Sequence, residues 1–175
     1  VKVYRKPKVA LVITGNEFQT PGASLNFGQV YESNSYMLSA ALKYEGIEGV
    51  LLFKVEDNLP KLVEALAQAL ESSDVVLLTG GVSVGDYDFV LKATSRCTVE
   101  QVFHKVKQKP GKPLYFGTKE NKLIFGLPGN PASVLSCYYN YVLPAIHRMV
   151  GKGHETKELK ATLATDYQKS PNLTF

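Results

Sequence analysis

What most constrains this chain is an alternation of short, wholly apolar runs with helical stripes. Val9-Ala10-Leu11-Val12-Ile13-Thr14 is continuous, rich in β-branched residues and followed by Gly15, the pattern of a strand buried on both faces of a parallel sheet. Met37, Leu38, Ala41 and Leu42 then recur at helical spacing, with Gly46 as the C-terminal cap. Val50-Leu51-Leu52-Phe53 is a second strand-like run. Leu59, Leu62, Val63, Leu66 and Leu70 form a second helical stripe opened by Asp57 or Asn58, and Val75-Val76-Leu77-Leu78 is a third strand. Strand, helix, strand, helix, strand predicts an α/β fold with a doubly wound, mostly parallel sheet and helices on both faces. Ligands of such folds bind at the carboxyl ends of the strands, so the loops after Thr14, Phe53 and Leu78 are where chemistry is expected.

Further along, another helix is expected after Asp88, and strands over 99–106, 114–116 and 123–125. Asn130-Pro131 opens a long helix, asparagine as N-cap and proline in the first turn, where its missing N–H costs nothing. Pro144 is expected to kink that helix before Gly151 ends it. From Glu155, Leu159, Ala161 and Leu163 alternate with polar residues like a strand. The expected division is a linker from a preceding domain at 1–8, an α/β domain at 9–151, and the start of a C-terminal β domain at 152–175.

The 175 residues, 45% hydrophobic and 21% charged, suit one core. No apolar run approaches the roughly 18 residues that span a bilayer, and the N-terminus lacks the apolar centre of a secretion signal, so a cytoplasmic protein is expected. Cys97 and Cys137 have no neighbouring cysteine and read as reduced thiols rather than a disulfide or zinc site. A net charge of +4 is too mild to imply nucleic acid. His104, His147 and His154 lack metal-ligand spacing, and no serine sits in a nucleophile elbow.

The segment 79–88, TGGVSVGDYD, carries three glycines between a strand and a helix. It reads either as a phosphate cradle of converging N–H groups or as a tight structural turn, and spacing alone leaves the two even. It is neither a Walker nor a dinucleotide motif. Asp86 and Asp88 are a pair suited to a hard cation beside phosphate, although Asp86 also suits a helix cap. Lys105, Lys107 and Lys109 alternate, so on an extended strand they share one face, and Pro110-Gly111-Lys112-Pro113 is a rigid turn presenting Lys112. Lys105 and Lys107 read as a solvated edge, Lys109 and Lys112 as an oxyanion site. The early N–H groups of the helix after Asn130, with the Ser133 hydroxyl, form a second candidate anion site; a well-capped helix start is the plainer alternative. Glu17 and Asp57 follow the first two strands and, with Asp88, are expected to share one crevice. Tyr138, Tyr139 and Tyr141 read as core or subunit contact.

Taken together, TGNEF at 14–18, GQVYESN at 28–34, LTGGVSVGDYDFV at 78–90, KPGKPLYFG at 109–117 and GLPGNPAS at 126–133 resemble the MoeA and gephyrin E-domain family of molybdopterin molybdotransferases. The resemblance runs from about residue 9 to 151. It implies Mg2+-dependent insertion of molybdate into adenylylated molybdopterin with release of AMP. On these residues it implies that Gly80, Gly81, Ser83, Gly85 and Asn34 bind substrate, and that Lys109, Lys112, Pro113 and Ser133 help bind molybdate. Asp88 would act in cleaving AMP, with Lys112 as its catalytic companion, and Glu17, Asp57 and Asp86 would support Mg2+. It further implies a homodimer, possible contact with the pathway's adenylyltransferase, and no nucleic-acid or membrane partner. Where the family commonly has aspartate, this chain has Asn16. The competing readings are an adenylyltransferase of the same pathway and a non-catalytic gephyrin-like scaffold.

Overall fold

The computed structural model describes residues 1–80, 89–153, 160–166 and 168. Six strands form one sheet in the order β4-β1-β5-β8-β7-β6: β1 (Val9–Thr14), β4 (Leu51–Val55), β5 (Val75–Thr79), β6 (Glu100–His104), β7 (Tyr115–Lys119) and β8 (Lys122–Leu127). A two-residue pairing, β2 (Phe18–Gln19) with β3 (Val30–Tyr31), lies outside it. The helices are α1 (Asn34–Tyr44), α2 (Leu59–Ser72), α3 (Phe89–Arg96), α4 (Pro131–Cys137) and α5 (Leu143–Met149). The sheet is parallel from β4 through β8 and turns antiparallel at β7 and β6, so it is the mostly parallel α/β fold that the alternation predicts.

Alternate residues of the central strands feed two separate cores. Val9, Leu11 and Ile13 of β1 and Val75 and Leu77 of β5 pack with Leu38 and Leu42 of α1 and Val134 and Ile146 further on. Ala10, Val12, Val76 and Leu78 pack with Leu62, Leu66 and Leu70 of α2 and Val90 and Ala93 of α3. Period-two strands between helices on both faces produce this division. Each fully buried leucine contributes about 1.5–3 kcal/mol.

The caps follow local chemistry. Asn58, not Asp57, opens α2, its side chain accepting from Lys61 N at 3.1 Å. Gly46 closes α1 at φ +70°, a left-handed conformation that glycine adopts without strain. After Asn130 the helix does not run straight to Gly151. A π-helical turn at Tyr138–Val142 separates α4 from α5, placing Pro144 in the first turn of α5, where no N–H is needed.

The strand expected at 50–53 forms as β4 and lies on the sheet edge, with Leu51 and Leu52 exposed; a buried parallel strand and an edge strand share the same apolar signature. Two expectations are corrected. The strand expected to reach Val106 stops at His104, because Lys105 takes φ +70° while its N–H donates to Leu114 O. Lys105, Lys107 and Lys109 therefore do not share the face of an extended strand. Residues 160–166 are exposed and belong to no strand, while Leu159 and the rest of the expected tail strand lie outside the described residues. Among the described residues no helix is long and apolar enough to cross a membrane.

The N-terminal segment is held by Asp74, whose carboxylate accepts two bonds from the Arg5 guanidinium, at 2.7 and 2.8 Å, and one from Lys8 N at 2.8 Å. The side-chain bond from Arg5 is the main cause holding the Asp74 carboxyl below its ordinary value. A carboxyl depressed by folding stabilises the fold above its unfolded value and loses that contribution as pH falls through its folded value. Denaturation midpoints are therefore expected to fall below about pH 4, and Asp74→Asn should flatten that fall as the pH is lowered further; an unchanged slope would remove Asp74 as its source.

Candidate functional site

The chain runs from β1 to β4 on one side, then crosses back to β5 on the other side of β1. The β1–β5 junction is thus the point where strand order reverses and the loops part, leaving a crevice at the carboxyl ends. A cavity of about 540 Å3 opens there, lined by Glu17, Phe18, Asn34, Gly80, Gly129 and Asn130 among others. Three predicted site residues, Glu17, Asn34 and Gly80, meet in it.

Gly80 is required by geometry. It takes φ +82°, and a Cβ on it would sit 1.9 Å from the Thr14 carbonyl oxygen. Asn34, at the start of α1, is 3% exposed. Its Nδ2 donates to Gly129 O at 2.9 Å, joining α1 to the GLPGNPAS loop across 95 residues, and its Oδ1 has no partner. Beside it Glu32, 2% exposed, accepts from the backbone N–H of Ser35 at 2.8 Å and from the Ser35 hydroxyl.

Asp57 accepts from the Thr14 hydroxyl, and its backbone N–H donates to Asn16 Oδ1 at 3.0 Å. Asn16 thereby ties the turn after β1 to the one after β4. The Glu17 carboxylate folds back toward Gly15, within 2.9 Å of where a Cβ would stand. Two carboxylates therefore flank the end of β1, but the described residues contain no group of three or more acidic, histidine or cysteine side chains placed around a metal.

The basic segment reaches the same end of the sheet by topology. β8 runs with β5, β7 against β8, and β6 against β7. The end of β6 and the start of β7 therefore both lie at the carboxyl ends of the parallel strands, and residues 105–114 emerge there. Lys109 and Lys112 are exposed and Pro113 half-buried; none of them lines the cavity. The segment is pinned from below: Val106 N donates to Lys112 O at 2.9 Å. Gln108 Nε2 donates to Pro110 O at 2.7 Å, and the Tyr141 hydroxyl donates to Gln108 Oε1 at 2.7 Å. Tyr141 is thus a clamp on this segment, while Tyr138 is core and Tyr139 exposed. Burial pushes the Cys137 thiol up to about 11, so it stays protonated at neutral pH and packs against Gly111 rather than acting as a nucleophile.

Ser133 lies half-buried in the first turn of α4. The expectation that its N–H helps hold an anion is corrected: the N–H groups of Ala132 and Ser133 donate to Asn130 Oδ1 at 3.0 and 3.3 Å. An N-cap asparagine satisfies the donors that an anion would need, leaving the hydroxyl. Gly81, Ser83, Gly85, Asp86 and Asp88 lie outside the described residues. Sequence reasoning missed Phe18, Val30 and Tyr31 as cavity walls, because a pairing two residues long has no periodicity to read. It missed Thr14 and Glu32 as well; the serine three positions after Glu32 was the available signal.

Comparison with known proteins agrees with this geometry. The molybdopterin molybdenumtransferase of Nostoc sp. is 41% identical over 160 residues, covering 89% of this chain and 37% of that protein. That of Staphylococcus epidermidis is 38% identical over 172 residues, covering 97% of this chain and 41% of that protein. The chain thus spans about two fifths of the length of these curated relatives. The crystal structure of the molybdopterin biosynthesis MoeA protein from Pyrococcus horikosii superimposes with a TM-score of 0.73 at 33% identity, covering 85% of this chain and 36% of that one. Residues 10–148 match the family described as the probable molybdopterin binding domain, and the chain belongs to that family.

Proposed function

We propose that this domain, as part of a longer molybdopterin molybdotransferase, serves the Mg2+-dependent insertion of molybdate into adenylylated molybdopterin with release of AMP. The observation that carries the reading is topological: loops after β1, β5 and β8 and the lysine segment at 105–114 all leave the same end of the sheet, beside a cavity at the strand-order reversal. Identity to proteins named molybdopterin molybdenumtransferase across most of the chain supports the same assignment.

In this reading Gly80, Gly81, Ser83 and Gly85 cradle phosphate with backbone N–H groups. Lys109 and Lys112, on their pinned segment, neutralise the molybdate dianion, with Pro113 shaping the turn and the Ser133 hydroxyl donating to an oxo group. Asp88 acts at the phosphoanhydride that frees AMP. Asn34 fixes the Gly129 carbonyl and so the loop that carries Ser133. Two carboxylates at the end of β1 fit Mg2+ in the mode where one or two protein carboxylates, waters and substrate phosphates share the ion; Glu17 and Asp57 would hold it, joined by Asp86. The ion would supply charge neutralisation between converging anions. A cytoplasmic homodimer that receives substrate from the pathway's adenylyltransferase completes the proposal, with 1–8 as an interdomain linker and 152–175 opening a further β domain.

The test supplies the full-length protein with adenylylated molybdopterin, molybdate and Mg2+ and follows AMP. Release is expected, and Asp88→Ala should slow it by at least about 100-fold, roughly 2.7 kcal/mol of barrier. Failure to consume the substrate refutes the reading. A melting temperature raised by ATP alone and not by molybdate would point instead to adenylyl transfer.

A further inference from the structure

The lysine bridge at 105–114 is closed at its ends by backbone bonds, Lys105 N to Leu114 O at 2.8 Å and Val106 N to Lys112 O at 2.9 Å. Between them Gln108 turns inward. It is half-buried, while Lys107 and Lys109 on either side are exposed. Its Nε2 donates to Pro110 O at 2.7 Å and to Ser136 Oγ at 3.3 Å, and its Oε1 accepts from the Tyr141 hydroxyl at 2.7 Å. Both amide hydrogens and the amide oxygen are thus committed. Turning the amide over would set Oε1 against the Pro110 carbonyl, acceptor against acceptor, so its orientation is fixed. Burial raises the Tyr141 hydroxyl above its ordinary value, which keeps it a donor.

The helix that supplies these partners is shaped for the task. Ser136 belongs to α4, and Tyr141 to the π-helical turn at Tyr138–Val142, where Leu143 N donates to Tyr138 O. On a continuous α-helix Tyr141 would stand about 140° round from Ser136. The wider turn narrows that angle, and both side chains meet on Gln108. Ser133 lies one turn before Ser136 and Cys137 on the same helix, and the Cys137 thiol donates to Gly111 O at 3.7 Å. The bridge that carries the lysines is therefore tied to the helix that carries the Ser133 hydroxyl.

We propose that Gln108, held by Tyr141 and Ser136, is the positioning residue that sets Lys109 and Lys112 against the Ser133 hydroxyl, so that oxyanion affinity depends on an amide committed beneath the bridge. The assignment rests on the function proposed above. Exposed lysines on a loose segment lose freedom when they gather round an anion, whereas a fixed bridge has lost part of it beforehand. Without the bonds of Gln108 the same charges remain, but the anion itself must order them. The loss then falls on affinity rather than on the chemical step.

The test follows AMP release by the full-length protein against molybdate concentration, and binding of molybdate alone by equilibrium dialysis. Gln108→Leu is expected to raise the half-saturating and dissociation concentrations at least about tenfold, and Tyr141→Phe at least about threefold, with maximal turnover kept within about threefold. The double variant should match Gln108→Leu within about twofold, because both changes remove the same bond. Tyr139→Phe, which removes an exposed hydroxyl from the same turn, should change neither concentration. If Gln108→Leu fails to fold, Tyr141→Phe decides alone. A loss confined to maximal turnover, additive losses in the double variant, or an equal loss in Tyr139→Phe overturns the inference. If AMP is released and molybdate affinity does not move, the inference alone falls. If the variants bind molybdate more weakly and the parent releases no AMP, the inference stands and the proposed function falls. A parent that neither binds molybdate nor releases AMP sinks both.

Discussion

Gly80→Ala is expected to be among the most destabilising single-methyl additions this chain can receive, at about 4 kcal/mol. Two costs combine. An L-residue at φ +82° is strained, and the new Cβ would stand 1.9 Å from the carbonyl oxygen of Thr14 and 2.9 Å from its carbon. Neither atom can retreat cheaply. Thr14 ends β1, Thr79 ends β5, and the two strands are hydrogen-bonded neighbours through Ile13 and Thr79, so relief means prising apart the centre of the sheet. For a domain of this size the loss corresponds to about 8–16 °C in melting temperature. Gly129→Ala is the control: its added Cβ would meet nothing within 4 Å, and a change within about 0.5 kcal/mol is expected. Thermal and urea unfolding measure both. A loss below about 1 kcal/mol for Gly80→Ala would show that the end of β1 yields more easily than its ladder implies.

Lys112→Ala should leave the fold alone and remove most turnover, at least about 100-fold in AMP release, or roughly 2.7 kcal/mol. The side chain is exposed, and the segment is held by its backbone carbonyl, which accepts from Val106 N; a melting temperature within about 1 °C of the parent is expected. Lys107→Ala, equally exposed on the same segment, should change turnover by less than about twofold. Turnover measured at saturating molybdate separates the two. Equal losses for both lysines would mean that general positive charge, not a placed cation, serves the reaction.

The parts of the fold that could be read in advance were those decided by local chemistry. β1 and β5 announce themselves because burial on both faces forces unbroken apolar runs, and Asn130 and Gly46 because caps demand particular side chains or backbone angles. Edge and centre, by contrast, are properties of the assembled sheet, so the residues 50–53 gave a strand without its position. The left-handed turn at Lys105 escaped notice because it comes from the Lys105 N–H reaching Leu114 O, a contact of the closed loop. The same distinction holds at the site. Glu17 and Gly80 could be placed at strand ends from pattern alone, but the bond from Asn34 to Gly129, the spent amides behind Asn130 and the acceptor left on Asn34 exist only once distant segments meet.

The reversal of direction at β7 has a wider meaning. A parallel sheet returns each strand by a long crossover and offers one loop per strand at its chemical end. By doubling back through β7, this sheet sends a ten-residue basic bridge across that end with both feet set in paired strands. Such a bridge can exchange its exposed charges without touching either apolar layer, so the charge offered at that end of the frame can be changed within one short stretch.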